Sequence, residues 1–235
     1  MILEEQLQIW TALKKRVAAC HECIDRWPSR VEPPLLANEI PDPRRDISIL
    51  FVGVAPPPIG CEDDDDVGHF YSNPSDRLRL GLFNVLDHLF ESNITRQNRV
   101  SCDAGTAAFL DAGFFFVHSA KVRPCGGRLA PDREIMRFCA KQHLVQEIPI
   151  LSPKAICFLG ATNAAPAANA VFRRRIGELP EQVEIPGGNG INGWRGWVAV
   201  TVQPVRGTKQ GSNRDRTAKV IDHLWHLIAD MRQRS

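Results

Sequence analysis

The sequence predicts a three-layer α/β/α sandwich around a short, mostly parallel, four-stranded central sheet. Two observations carry this. Apolar runs at 47–54, 114–120, 155–159 and 197–202 read as strands, and the first is nearly continuous, as in a strand buried on both faces. Helical segments lie between them, and strands alternating with helices at this spacing argue for a sheet covered on both sides. With 235 residues, 43% of them hydrophobic, a substantial core can form. A single domain over 1–235 is expected, with residues 1–45 supplying an N-terminal helix and a cysteine-bearing segment packed onto it.

The elements follow in order. Residues 2–19 place Leu3, Leu7, Trp10, Leu13 and Val17 near one helical face. An irregular, proline-rich stretch runs from Trp27 to Arg45. Ile47 to Val54 is the first strand, stopped by Pro56, Pro57, Pro58 and Gly60. After the acidic loop Glu62–Asp66, a helix runs from about Asp76 to Phe90. Ser75 is its expected N-cap, and Leu78, Leu82, Val85, Leu86 and Leu89 point inward. Phe114 to Ala120 is the second strand. Pro131 to Glu147 is a helix that opens with proline and acid, as helix starts do. Ala155 to Leu159 is the third strand, and Gly160 turns it into an alanine-rich helix at Thr162–Phe172. Trp197 to Val202 is the fourth strand, and Thr217 to Met231 is a closing amphipathic helix.

Ligands of such sheets bind beyond the carboxyl ends of the strands. Three of those ends carry unusual residues: Val54-Ala-Pro-Pro57, His118-Ser-Ala-Lys121 and Val202-Gln-Pro-Val205. Gly53-Val-Ala-Pro-Pro has the wrong spacing to cradle phosphate, and no dinucleotide or P-loop motif is present, which argues against a nucleotide enzyme of those types. The net charge of +2 is ordinary for a soluble enzyme and leaves any polyanion binding to a local basic strip. No apolar run approaches bilayer length, and the N-terminus has the wrong charge order for a signal peptide, so a cytoplasmic protein is expected. Seven cysteines in such a chain point to metal ligation or plain burial rather than disulfides.

These strand ends, in this order, resemble the active-site motifs of the uracil-DNA glycosylase superfamily, most nearly its iron–sulfur branches. Gly53-Val-Ala-Pro56 matches a Gly-x-Ala-Pro motif, and Gly68-His-Phe70 more loosely matches the Gly-x-x-Phe that follows it. His118-Ser-Ala-Lys121, Arg123-Pro124 and Cys139 stand where those families carry Asn-x-x-Lys, Arg-Pro and a cysteine-bearing helix. Leu151-Ser-Pro-Lys-Ala-Ile-Cys-Phe-Leu-Gly-Ala-Thr162 matches a Lys-Pro-Lys-x-Ile-x-x-Leu-Gly-x-Thr element. Gln203-Pro-Val205 stands for His-Pro-Ser. The likeness spans about residues 20–230.

The resemblance implies a uracil-DNA glycosylase-like fold and a site that takes a base out of the DNA stack. Val54, Ala55 and Pro56 would line the pocket, Phe70 would stack on the base, and His118 would read its edge. Gln203 would stabilise the leaving base. Arg206, Lys209 and Arg214, with Lys121 nearby, would face DNA. Phe70 as simple core and the basic cluster as a solvated face are the plainer alternatives. Asp63, Asp66 and Asn73 are candidates for activating or orienting water; the acidic loop could equally be solvated and bent away from DNA. Cys20, Cys23, Cys125 and Cys139 are the expected ligands of a 4Fe-4S cluster, with structural zinc as the alternative for the same thiolates. Cys125 lies three residues beyond the family's usual position, where this chain has Val122. Cys61, Cys102 and Cys157 read as non-ligating.

The departures cluster at the chemistry. Val54 stands where one branch has a water-activating Glu, His118 where an Asn recognises uracil, and Gln203 where a His stabilises the leaving anion. The expectation is a monomeric, monofunctional DNA glycosylase acting on a non-standard pyrimidine, such as a hypermodified cytosine of phage DNA. Uracil excision and a catalytically silent DNA-recognition module are the alternatives.

Overall fold

The computed structural model describes residues 4–33, 40–44, 46–57, 69–126, 130–187, 193–204 and 212–233. The chain opens with α1 (Glu4–Ala18), α2 (Glu22–Arg26), β1 (Val31–Glu32) and β2 (Ile49–Gly53). It continues through α3 (Arg77–Phe90), α4 (Ile94–Val100), α5 (Cys102–Asp111), β3 (Phe114–His118) and β4 (Arg123–Pro124). Then come α6 (Arg133–Cys139), a π-helical turn at Ala140–Leu144, α7 (Val145–Leu151), β5 (Ala155–Leu159) and α8 (Ala161–Phe172). β6 (Glu181–Ile185), β7 (Trp194–Thr201) and α9 (Ser212–Gln233) complete it.

The central sheet has five strands in the order β3-β2-β5-β7-β6, one more than the sequence suggested. The first four are parallel, and β6 runs antiparallel to β7 along the outer edge. In β6 only Val183 and Ile185 are buried, so its five residues carry a half-exposed alternation too short to stand out from a loop. By contrast every residue of β2, β3 and β5 is buried. A separate two-stranded ribbon pairs β1 with β4 and ties the N-terminal segment to the chain beyond β3.

Side-chain parity along β3 shows the layers. Phe115 meets Trp10 of α1 edge-on at 5.8 Å. Its neighbours Phe114 and Phe116 point the other way. Phe114 lies 5.1 Å from Phe90 of α3 and 5.8 Å from Phe109 of α5, and Phe116 stacks on Phe70. α6, α7 and α8 associate with the α1 side, and α4 and α9 with the α3 side. Helices therefore cover both faces, as expected of parallel strands.

Two local readings are corrected, and one unassigned stretch is filled. Asp76 rather than Ser75 caps α3, its carboxylate accepting from Arg79 N–H at 2.8 Å. The helix expected over Pro131–Glu147 is broken by the π turn and then runs through Pro149 to Leu151. The stretch between Phe90 and Phe114 is the packed pair α4 and α5. Ser101 caps α5, and Asp87 of α3 accepts from Ile94 and Thr95 N–H at 2.8 and 2.9 Å to hold the start of α4.

Arg79 joins these helices from inside. It is 0% exposed and reaches the Phe70 carbonyl, Asn98 Oδ1, Thr106 Oγ1 and the Cys102 carbonyl. Tyr71 performs a second tie. Its hydroxyl accepts from Phe116 N–H at 2.8 Å and donates to Phe116 C=O at 3.1 Å, at the open edge of β3. An outer strand presents unpaired backbone groups, and here one side chain satisfies a donor and an acceptor together. Replacing Tyr71 with Phe should therefore cost about 1–3 kcal/mol, since both groups stay buried without a partner. Chemical denaturation would read the loss, and an unchanged midpoint would mean that water replaces the hydroxyl.

Candidate active site

The register of the sheet gathers the unusual strand ends. Gly53 lies opposite His118, and Leu159 opposite Thr201, so the carboxyl ends of β2, β3, β5 and β7 form one rim. The pairing of the first two motifs continues past the strands. Ser119 N–H donates to Gly53 C=O at 2.8 Å, and Ala120 N–H to Val54 C=O at 3.0 Å. Arg123 Nε holds Pro57 C=O at 2.8 Å from the other side. Val54 and Ala55 are half-buried against the core and Pro56 is buried. Gly53 permits close packing: a Cβ there would lie 2.6 Å from Phe116 Cζ and 3.3 Å from His118 Nδ1.

His118 is the most unusual residue of this rim. It is 7% exposed, yet neither ring nitrogen has a hydrogen-bond partner among the described residues. Phe116 meets its ring edge-on at 4.9 Å, and His69 lies against it at 5.6 Å. A buried polar group without a partner is rare in folded proteins and points to a ligand or water that completes it. Burial, with His69 and Lys121 nearby, holds His118 well below the usual histidine range, so it stays neutral and offers one donor and one acceptor. His69, which the sequence reading passed over, is also buried and is held at about 4, by burial and then by Arg123.

These imidazoles set an acid limit. His143, in the π turn, is likewise held at about 4 by burial, with Lys121 and Arg16 adding to it. Unfolded, each ring takes up its proton near pH 6.5. Between pH 6.5 and 4 the unfolded chain therefore binds more protons, and stability falls as pH drops through that window. Glu147, raised by burial, works in the opposite direction, one carboxyl against three imidazoles. Thermal unfolding should give a Tm that declines across this range and is level above it. A Tm flat throughout would show that the rings are solvated.

The structure places the other expected residues as follows. Phe70 is 2% exposed and stacks on Phe116 at 4.1 Å and 15°, so its ring is committed to the core in this structure. Asn73 Oδ1 accepts from Ser75 N–H at 2.8 Å and shapes the turn into α3. Gln203 is half-buried just beyond β7, next to buried Pro204. Lys121, expected near DNA, is 5% exposed and turned inward, with Nζ 2.6 Å from both His118 C=O and Glu147 Oε2. Asp63, Asp66, Arg206 and Lys209 lie outside the described residues, as does the Arg214 side chain.

Three of the four expected cysteine ligands converge. Cys23 donates a hydrogen bond to Cys139, which holds the Cys139 thiol below its usual range, and Lys121 N–H donates to Cys139 Sγ at 3.0 Å. Cys20 lies close enough to feel the Cys139 charge. Cys125 follows β4, and its N–H donates to Arg30 C=O, which brings it to the same N-terminal segment. The donor set and a backbone N–H on sulfur suit thiolate ligation. Among the described residues no three side chains form a ready metal-binding group, so Cys20, Cys23 and Cys139 are near neighbours rather than a closed cage.

A family model described as the uracil DNA glycosylase superfamily matches residues 41–228. The α/β fold, the motifs on one sheet rim and this match agree, and the chain belongs to that superfamily. Membership supports DNA glycosylase chemistry in general and DNA as the partner. No curated protein matches the chain. Among the described residues no helix is long and apolar enough to cross a membrane.

Proposed function

We propose that the protein is a monofunctional DNA glycosylase that flips out a non-standard pyrimidine and hydrolyses its N-glycosidic bond, leaving an abasic site. The observation that carries this is the buried His118 imidazole, with no hydrogen-bond partner among the described residues, on the rim where related families carry an asparagine. A flipped base is read by stacking and by hydrogen bonds to its edge. An amide presents a donor and an acceptor side by side, which fits uracil; a neutral imidazole presents them on opposite flanks and fits a different edge. Gln203, at the sugar side, can donate to the departing base without carrying charge. Val54 keeps the first loop apolar, so water activation falls to Asp63, Asp66 or Asn73. The protein acts as a monomer in the cytoplasm, with Arg206, Lys209 and Arg214 on phosphates and Lys121 bracing the pocket from behind. Hypermodified cytosines of phage DNA are the proposed substrate class.

Cys20, Cys23, Cys125 and Cys139 would hold a 4Fe-4S cluster that fixes the N-terminal segment to the rim. Zinc is the alternative for the same donors. Iron, sulfide and zinc analysis of anaerobically purified protein separates the two, and absence of all three removes the cofactor.

Oligonucleotides carrying uracil or 5-modified cytosines, cleaved with alkali after incubation, test the reaction, and mass spectrometry identifies the freed base. Release of a modified pyrimidine supports the proposal, and release of uracil alone overturns the substrate. His118→Ala should slow release on the order of 100-fold, the cost of a lost, well-placed hydrogen-bonding group. His118→Asn should shift preference toward uracil. A silent recognition module is favoured by the local engagement of Asn73 in its turn. DNA binding without abasic product on any substrate would establish it.

A further inference from the structure

His118 is held in place without a hydrogen bond to its ring among the described residues. Phe116 meets it edge-on, Gly53 leaves room beneath it, and His69 packs against it at 62° to its plane. The segment carrying His69 is fastened within its own turn, to the strand that carries His118 and to the helix beside it. His69 C=O accepts from Ser72 and Asn73 N–H. Phe70 stacks on Phe116, and its carbonyl is held by Arg79. Tyr71 is bound through its hydroxyl to the Phe116 backbone, and its N–H donates to His69 Nδ1 at 3.5 Å. Three successive residues are thus anchored around β3, and His69 cannot move without disturbing two of them.

We infer that His69 is a positioning residue for base recognition: its ring contact fixes the orientation of the His118 imidazole and so keeps both of that ring's nitrogens directed to a flipped base. This rests on reading position 118 as the base reader. The two rings are compatible because both stay neutral. The charged groups facing them, Arg123 toward His69 and Lys121 toward His118, oppose protonation of either. Residues that orient a contacting side chain commonly affect activity by about 10-fold when removed.

The test compares full-length wild type with His69→Ala and His69→Phe in three readouts. The first is the ratio of release rates on the preferred modified cytosine and on uracil. His69→Ala should lower the preferred rate about 10-fold and flatten the ratio, because a loose imidazole reads either edge. His69→Phe keeps a ring in the same place and should restore the ratio. The second is Tm, which a purely structural role would lower in step with the rate while leaving the ratio unchanged. The third needs no activity: nitrogen NMR of the free protein. Wild-type His118 should show one ordered ring environment, and His69→Ala a broadened, averaged one. An unchanged ratio, or an unchanged His118 spectrum in His69→Ala, overturns the inference. A wild type that releases no base overturns the proposed reaction instead, and the spectrum still decides the role of His69.

Discussion

Arg79→Lys is expected to destabilise the protein by about 3–5 kcal/mol, because two or more buried acceptors lose their donor at about 1–3 kcal/mol each. The guanidinium is fully buried, and its hydrogen-bond partners are neutral oxygens: Asn98 Oδ1, Phe70 C=O and Cys102 C=O at 2.7 Å each, and Thr106 Oγ1 at 3.1 Å. Its plane also lies 4.7 Å from the centre of the Phe83 ring. Only a planar fork with several N–H groups can serve oxygens on two helices and a loop at once. A lysine ammonium is a single point; it would meet some of them, leave others unpaired and keep its charge in the core. Arg79→Met removes the charge but strands the same acceptors, each costing about 1–3 kcal/mol. For a chain of this size the lysine variant should melt roughly 10 °C lower. Urea unfolding of the variants measures the difference directly, and a loss below about 1 kcal/mol would mean that water enters and takes over these bonds. The effect extends to the rim, because releasing the Phe70 carbonyl frees the segment that carries His69.

Arg79 also shows what the sequence conceals. On α3 it lies between Leu78 and Leu80, and an arginine there reads as a solvated position. It is buried because α4 and α5 fold over it, and those helices are short and weakly periodic. What is legible is the opposite kind of segment. Ile49–Gly53, Phe114–His118 and Ala155–Leu159 are apolar on both faces, so their strands could be read directly. The rim followed, because strand order and parallel register bring 53, 118 and 201 to one end.

Roles within the rim were less legible. A Gly-x-x-aromatic spacing counted from Gly68 falls on Tyr71, not Phe70, and both aromatics are spent on holding β3. Neighbouring aromatics in a turn cannot be told apart by type; their contacts decide. His69 carried no signal beyond its place in that turn, and its meaning comes from the ring it touches. Lys121 belongs to a strand-end motif that the resemblance sets beside DNA, while the partner that draws it inward, Glu147, sits 26 residues away on a helix whose register is shifted by the π turn.

That pair gives the second large effect. Glu147→Gln should cost about 3–5 kcal/mol, because it leaves the Lys121 ammonium in the interior without a counter-charge. Both side chains are almost completely buried, and burial alone raises the Glu147 carboxyl while Lys121 pulls it down. Lys121→Met in the same background should recover most of the loss, since removing both charges removes the uncompensated one. The double-mutant cycle across the two positions gives their coupling. Additive losses would mean that the ion pair is not what holds this region. The pair also reaches the chemistry: the same Nζ holds His118 C=O at 2.6 Å, and the Lys121 backbone N–H holds Cys139 Sγ at 3.0 Å. One residue thus links the carboxyl end of β3, α7 and the cysteine group. Glu147→Gln should therefore lower base release more than its global stability requires when assayed well below its melting temperature, through a displaced His118 carbonyl. The rescuing Lys121→Met change should restore stability but not activity, because a methionine cannot donate to that carbonyl. Recovery of both together would separate the ion pair from the site.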